Sequence, residues 1–220
     1  MECFENIKAI IFDLDGTLVD SMWIWKQVDI DFLEKRGHEL PENLQKDIEG
    51  MSFTETAEYF TERFKLKESI DEIKAEWNEM ASRFYAEEIK LKENVHLIIE
   101  YATKHQIKLG IGTSNSRELL MTVLEANGIS GAFQSIRTSC EVPAGKPSPD
   151  IFLKVAEDLE VHPSECMVFE DTHAGVLAGK RAGMKTVAIY DELSEPYAEA
   201  IKQDADFYIY SYNELFESCH

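Results

Sequence analysis

Two pairs of acidic residues follow short apolar runs in this sequence, and carboxylates so placed are suited to binding a metal ion. Asp13 and Asp15 follow the first run, in the segment Asp-Leu-Asp-Gly-Thr, and Glu170 and Asp171 follow a later run. Carboxylates gathered in one pocket repel each other unless a cation binds between them. Because oxygen ligands without histidine or cysteine favour Mg²⁺ over zinc, the two pairs predict a magnesium site.

Hydrogen-bond donors follow two other apolar runs. Thr113, Ser114 and Asn115 come after one run, and Lys146 comes after a weaker one, in Gly-Lys-Pro-Ser-Pro-Asp. Hydroxyl, amide and ammonium groups can hold phosphoryl oxygens. Of two carboxylates placed two residues apart, one can attack phosphorus while the other handles the proton of the leaving group. The combination predicts phosphoryl transfer assisted by a metal ion.

Each of these motifs taken alone is also typical of ordinary structure. Asp-Leu-Asp-Gly-Thr suits a surface turn, Lys146 suits a solvated lysine, and Glu170-Asp171 suits acids at the start of a helix. A calcium-binding loop of the EF-hand type is excluded, because its last position requires glutamate and the residue there is Ile24. The placement of all four groups directly after predicted strands favours the phosphoryl-transfer site.

Short apolar runs that predict buried strands alternate with helical patterns along most of the chain. The runs lie at 7–12, 107–112, 166–169, 186–190 and 207–210, with a weaker one at 133–137. The helical patterns lie near 94–105, 116–127, 148–159, 174–182 and 194–203. This alternation predicts an α/β fold, a three-layer, Rossmann-like core with a parallel sheet. Ligands of such sheets bind at the carboxyl ends of the strands.

Residues 20–91 interrupt the alternation. They contain four helical patterns, near 22–36, 41–48, 53–64 and 69–89, and no convincing strand. We interpret them as an inserted all-helical cap domain, which leaves residues 1–19 and 92–220 as the catalytic core. Within the insert we expect Trp23, Trp25 and Trp77 to pack inside, or one of them to face the substrate, and most acidic residues to lie on a solvated face.

The composition limits the partners of the protein. The 220 residues include 22 Lys and Arg and 42 Asp and Glu, a net charge of −20. Nucleic acids and anionic membranes bind basic surfaces, so we expect neither as a partner of this acidic protein. The expected partner is a small phosphorylated metabolite. No apolar run of the length that spans a bilayer occurs, and the N-terminal segment lacks the basic region of a signal peptide.

The four cysteines, Cys3, Cys140, Cys166 and Cys219, match no metal or redox spacing. We therefore expect reduced cysteines and a cytoplasmic location, with Cys140 and Cys166 filling core volume. No heptad seam stands out, so a monomer or weak dimer is expected.

In their order along the chain, these motifs resemble those of the haloacid dehalogenase superfamily of aspartate-nucleophile phosphohydrolases. The matching segments are DLDGT at 13–17, the strand that ends in Thr113, Lys146 in GKPSPD, and Glu170-Asp171 in FEDTHAG. The helical insert resembles the cap of the branch that contains β-phosphoglucomutase and phosphoglycolate phosphatase. The resemblance covers almost the whole chain.

The resemblance implies a role for each acidic residue. Asp13 attacks phosphorus and forms an aspartyl-phosphate, and Asp15 protonates the leaving oxygen and then activates water. Mg²⁺ is held by the Asp13 carboxylate, the Asp15 backbone carbonyl and Asp171, with Glu170 as a further ligand or an orienting group. The phosphoryl oxygens are held by Thr113, Ser114, Asn115 and Lys146.

Two positions of the insert distinguish a phosphatase from a sugar-phosphate mutase. We align Trp25 with a histidine of β-phosphoglucomutase, and Phe53 with its arginine that holds the second phosphate. Replacing that arginine by phenylalanine removes a bidentate charge partner, which favours a phosphatase. The alternatives are a β-phosphoglucomutase-type mutase and, from another class, a receiver-like or non-catalytic phosphate-binding module. Receivers are shorter, lack the insert and carry the phosphorylated aspartate on their third strand.

Overall fold

Six parallel strands form one sheet in the structure, a computed structural model that describes residues 2–217. The strands are β1 (Ala9–Phe12), β2 (Lys108–Thr113), β3 (Ser135–Thr138), β4 (Cys166–Glu170), β5 (Lys185–Ile189) and β6 (Phe207–Ile209). Their order across the sheet is β3-β2-β1-β4-β5-β6. Every neighbouring pair is parallel, so the carboxyl ends of all six strands lie at one edge.

Helices follow the strands and fill a long insert between β1 and β2. Those of the insert are α1 (Met22–Glu34), α2 (Leu44–Ile48), α3 (Phe53–Phe64) and α4 (Ile70–Glu87). Those after it are α5 (Val95–Lys104), α6 (Arg117–Ala126), α7 (Asp150–Asp158), α8 (His173–Arg181), α9 (Ala198–Asp204) and α10 (Glu214–Glu217). The expected α/β fold with a parallel sheet is therefore confirmed, with each predicted strand and helix present within a few residues of its expected bounds.

The central strand β1 is buried on both faces, which explains its continuous apolar sequence. Successive side chains of a strand point to opposite faces. Ile10 and Phe12 pack in one apolar cluster, and Ile11 packs in a second cluster with Phe152 of α7. Burial on both sides leaves little room for polar side chains before Asp13, where the strand ends.

The helical insert (residues 22–87) is organised around aromatic side chains. The ring of Trp77 lies 5.4 Å from that of Phe32 and 5.0 Å from that of Phe60, measured between centroids. Helices α3 and α4 each begin with a capping box, formed by Ser52 with Glu55 and by Ser69 with Glu72.

Two expectations about buried side chains are wrong. Trp23 does not pack inside the insert: it is 48% exposed, because it lies on the outer side of α1, where its ring contacts Phe84 in a T-shaped arrangement. Cys140 does not fill core volume, because it lies in an exposed turn after β3. Cys166 is buried as expected, and Cys219 lies outside the described residues.

The insert is placed over the carboxyl ends of the strands. Two chain segments connect it to the sheet side by side, since Val19 and Leu91 form an antiparallel bridge. The Glu49 carboxylate accepts a hydrogen bond from the backbone N–H of Ala174, at 2.7 Å. Division into a core and a separate cap domain at residues 19/20 and 91/92 stays a prediction.

A bilayer crossing requires about 20 consecutive, mostly apolar residues in one helix. None of the helices that the structure describes meets that requirement.

Candidate active site

A buried lysine joins two of the predicted acidic residues. The Lys146 ammonium lies 2.5 Å from Oδ1 of Asp13 and also contacts Oε1 of Glu170. Burial disfavours the charged form of Lys146, but attraction to the two carboxylates outweighs it, so its pKa is raised. Burial also disfavours the charged form of Asp13 and so raises the pKa of its carboxyl, although the positive charge of Lys146 acts to lower it. The site therefore holds Asp13 in place through a largely buried ion pair.

Three carboxylates lie close enough together to bind one cation. One oxygen from each of Asp13, Glu170 and Asp171 lies within 4.8 Å of the others. Oδ1 of Asp171 accepts a hydrogen bond from the Thr17 hydroxyl at 2.9 Å, while its buried Oδ2 has no partner within residues 2–217. Burial and the neighbouring carboxylates raise the pKa of Asp171. An orphaned carboxylate oxygen among oxygen donors alone fits Mg²⁺.

Gly16 makes room for this cluster. A Cβ atom at Gly16 would lie 2.4 Å from Oδ2 of Asp171, and the backbone there has a φ of +77°, which favours glycine. The orphaned oxygen is thus bordered by a residue that has no side chain.

Glu170 is already engaged by protein groups. One oxygen contacts Lys146, and the other accepts hydrogen bonds from the backbone N–H groups of Asp171 and Thr172, at 3.0 and 3.1 Å. These contacts are those expected of a residue that orients Lys146. Asp15 does not contribute its side chain to the three-carboxylate cluster.

Asp15 is held by residues of the insert and of β2's end. Its Oδ1 accepts hydrogen bonds from the Ser21 hydroxyl, at 2.6 Å, and from the Tyr85 hydroxyl. Its Oδ2 accepts one from the Asn115 amide at 2.7 Å. The indole N–H of Trp25 donates to the Tyr85 hydroxyl at 2.9 Å. This network fixes the carboxylate that could act as an acid or base.

A cavity of about 200 Å³ opens between the sheet edge and the insert. Asp13, Asp15 and Lys146 line it, together with the predicted phosphate-binding residues Thr113, Ser114 and Asn115. The Asn115 amide, however, donates to Asp15 and to Tyr85 at 2.8 Å, so its side chain supports Asp15 here. The structure thus brings all the predicted site residues except Asp171 to the wall of one cavity, and Asp171 adjoins them in the carboxylate cluster.

The insert supplies the opposite wall with aromatic side chains and one acid. Phe53 lies 6.0 Å from Trp25 and 5.5 Å from Trp77, between ring centroids. Asp29 of α1 is only 6% exposed, an exception to the expectation that most acidic residues of the insert lie on a solvated face. Its Oδ2 accepts a hydrogen bond from Gln45 at 2.7 Å, and burial raises its pKa to about 7.

Comparison with known proteins assigns the chain to a family. The sequence profile of the family described as haloacid dehalogenase-like hydrolase matches residues 10–189. The chain belongs to the haloacid dehalogenase-like hydrolases. The family predicted from the sequence motifs is therefore confirmed.

Relatives of this hydrolase include sugar phosphatases. It is 30% identical over 181 residues to the phosphorylated carbohydrates phosphatase of Thermotoga maritima, covering 82% of this chain and 84% of the relative. It is 25% identical over 202 residues to hexitol phosphatase B of Escherichia coli K12, covering 84% of each. The expected enzyme class, a phosphoric monoester hydrolase of the haloacid dehalogenase type, is confirmed.

A solved structure shares the fold over nearly the whole chain. The β-phosphoglucomutase of Clostridium difficile is 25% identical and superposes with a TM-score of 0.79, covering 96% of this chain and 95% of that one. The resemblance therefore extends from the sheet into the helical insert.

The predicted site lacks Asp29 and Trp77, which line the hydrolase's cavity, and Tyr85, which donates a hydrogen bond to Asp15. Tyr85, Asp29 and Trp77 are distant in sequence from the motifs and lie in helical patterns that predict only an inward-facing side. Of these residues, only Asp29 could have been found from the sequence, because an acidic residue among the apolar positions of α1 is unusual on a buried helix face.

Asp29 makes the stability of the hydrolase dependent on pH. A carboxyl with a pKa of 3.8 when unfolded and about 7 when folded binds more protons in the folded state between those values, so stability is lost as pH rises through them. Between about pH 5.5 and about pH 8.5, the free energy of unfolding of the wild type should fall by about 2 kcal/mol relative to Asp29→Asn.

Urea unfolding at the two pH values measures this difference. The control Asp31→Asn changes an exposed aspartate of the same helix, and its free energy of unfolding should depend on pH as that of the wild type does. If the free energies of unfolding of wild type and Asp29→Asn depend equally on pH, the raised pKa of Asp29 is contradicted.

Proposed function

We propose that the protein is a Mg²⁺-dependent phosphatase that hydrolyses a small phosphorylated metabolite, a sugar phosphate or similar phosphomonoester, through an aspartyl-phosphate. The observation that carries the proposal is the arrangement of Asp13 and Asp15 on one cavity, with Asp13 bound to buried Lys146. The sugar phosphatase names of two relatives support the substrate class.

The three-carboxylate cluster is the proposed magnesium site. Asp13 and Asp171 would hold the ion, with the Asp15 backbone carbonyl, while Glu170 keeps Lys146 in place. Bound Mg²⁺ would neutralise negative charge on the phosphoryl oxygens and on the carboxylates.

In the first step, an oxygen of Asp13 attacks phosphorus and the bond from phosphorus to the alcohol oxygen breaks. Asp15 gives its proton to that oxygen, so the alcohol leaves neutral. Lys146 and the Thr113 and Ser114 groups hold the phosphoryl oxygens during the transfer. The product is an aspartyl-phosphate on Asp13.

In the second step, Asp15 takes a proton from water, and the water oxygen attacks phosphorus. The bond from phosphorus to Asp13 breaks, which releases inorganic phosphate and restores the carboxylate. The hydrogen bonds to Asp15 from Ser21, Tyr85 and Asn115 keep it in position for both proton transfers.

A β-phosphoglucomutase-type mutase is the second candidate, because a protein of that name shares this fold. A mutase retains a bisphosphate and therefore requires a second anion site. Among the described residues that line the cavity, Lys146 is the only cation, and Phe53 occupies the position we align with the arginine of that family. These features favour hydrolysis. A receiver-like module is disfavoured, since Asp13 follows the first strand.

A cytoplasmic location and a monomeric or weakly dimeric state remain predictions from composition.

Phosphate release from a panel of esters tests the proposal. We expect release from p-nitrophenyl phosphate and from hexitol and hexose phosphates with Mg²⁺, and its loss with EDTA or in Asp13→Asn, since the nucleophile and its metal are both required. Asp31→Asn should retain wild-type rates. Isomerisation of β-glucose 1-phosphate with glucose 1,6-bisphosphate, without net release, would instead show a mutase.

The role of Asp15 predicts a dependence on the leaving group. Asp15→Asn should lower steady-state hydrolysis of an alkyl phosphate by roughly 10²–10⁴-fold, the usual contribution of general acid–base catalysis. With p-nitrophenyl phosphate, whose leaving group needs no proton, rapid-mixing kinetics should show a burst of nitrophenolate before slow turnover. A loss below about tenfold on the alkyl ester would refute the assignment.

A further inference from the structure

The part of the cavity wall formed by the insert contains polar groups that the proposed chemistry does not use. We call Trp25, Asp29, Gln45, Phe53 and Trp77 the insert subsite. They come from α1, α2, α3 and α4, and all five line the cavity that contains Asp13. One face of the reacting phosphate ester must therefore be enclosed by these side chains.

Asp29 is a buried acid without a cation. Its Oδ2 accepts the hydrogen bond from Gln45, and no described residue donates to its Oδ1 or forms an ion pair with it. A buried carboxylate with such incomplete compensation is costly for the fold. Its position on the cavity wall indicates that a ligand supplies the missing hydrogen-bond donor.

Trp77 provides the complementary unmatched group. Its side chain is only 2% exposed, and its indole N–H has no hydrogen-bond partner among the residues that the structure describes. The insert subsite thus contains an acceptor that lacks a donor and a donor that lacks an acceptor. A ligand hydroxyl or ammonium group that donates to Asp29 would supply the donor that this carboxylate lacks.

The charges around the cavity exclude a second anion. Glu49 lines the cavity as well as Asp29, and the only cation among the described lining residues, Lys146, is already paired with Asp13 and Glu170. A carboxylate or second phosphate on the ligand would meet Asp29 with no positive partner. Like charges in a desolvated site repel strongly.

We propose that the insert subsite binds the alcohol part of the substrate through a hydroxyl or ammonium group that donates to Asp29, and that it rejects esters with a second anionic group. The proposal rests on the phosphatase function and adds the substrate class: small, hydroxylated or amino-substituted phosphate monoesters. The cavity has a volume of about 200 Å³, which is smaller than the sites that bind drug-sized ligands, and this also indicates a small substrate.

Three hexose derivatives that share a 6-phosphate provide the test. They are glucose 6-phosphate, glucosamine 6-phosphate and 6-phosphogluconate, which differ in carrying neutral, ammonium or carboxylate groups. For the wild type we expect kcat/KM on 6-phosphogluconate to be at least about tenfold lower than on the better of the other two, mainly through KM, because charged hydrogen bonds are strong and their loss is costly. Preference for glucosamine 6-phosphate identifies an ammonium donor, and preference for glucose 6-phosphate a hydroxyl donor.

Variants assign the discrimination to Asp29. Asp29→Asn keeps the shape of the side chain and, in assays above its pKa of about 7, removes its charge, so it should reduce the ratio of kcat/KM between favoured and anionic esters by about tenfold. Gln45→Lys adds a cation beside Asp29 and should raise activity on 6-phosphogluconate, a gain that misfolding cannot produce. Asp31→Asn, on the exposed side of α1, should leave every ratio unchanged.

A binding measurement separates this proposal from the proposed function. Tryptophan fluorescence, which reports on Trp25 and Trp77, can follow binding of the same three esters to Asp13→Asn and to the double variant Asp13→Asn/Asp29→Asn without turnover. If Asp13→Asn binds 6-phosphogluconate more weakly than the other two esters and the double variant does not, the proposed role of Asp29 in the insert subsite is supported even if no ester is hydrolysed. Equal binding or equal kcat/KM for all three esters, or ratios in Asp29→Asn within twofold of wild type, would overturn it.

Discussion

The ion pair of buried Lys146 with Asp13 and Glu170 is the interaction on which the site depends. It joins the end of β1, the end of β4 and the segment after β3 into one cluster. Without the ammonium, the adjacent carboxylates would repel each other in a largely buried space. Gly175 shows how tightly the cluster is packed, since a Cβ atom there would lie 1.9 Å from the Glu170 carboxylate. The same ion pair that stabilises the site therefore fixes the proposed nucleophile.

Strand register and the insert complete the arrangement. Phe12 pairs with Ile111 on one side and with Phe169 on the other, so the residues that follow β1, β2 and β4 emerge at the same edge. The insert then covers that edge and provides Tyr85 to Asp15 and Asp29 to the cavity. In the proposed function the sheet holds the reacting phosphoryl group, and the insert selects its alcohol part.

Much of this could be predicted from sequence, because strand periodicity and the motifs after each strand are local signals. Asp13, Lys146 and Asp171 were expected at one sheet edge, and a parallel sheet places them there. Tyr85 and Asp29 could not be predicted in the same way: a helical pattern indicates which side of a helix is buried but not what it contacts. The prediction that Trp23 is buried was wrong for a related reason, because the hydrophobicity of a residue does not determine which side of its helix it lies on.

The proposed mechanism requires that Asp13 becomes covalently phosphorylated. Acid quenching of the Asp15→Asn variant during turnover of p-nitrophenyl phosphate with Mg²⁺, followed by intact-protein and peptide mass spectrometry, can detect this intermediate. The first step needs no acid with this leaving group, while the second lacks its base, so the intermediate should accumulate. We expect one added phosphoryl group, located on Asp13. Continued nitrophenolate release with no phosphorylated protein, or phosphorylation of another residue, would contradict it.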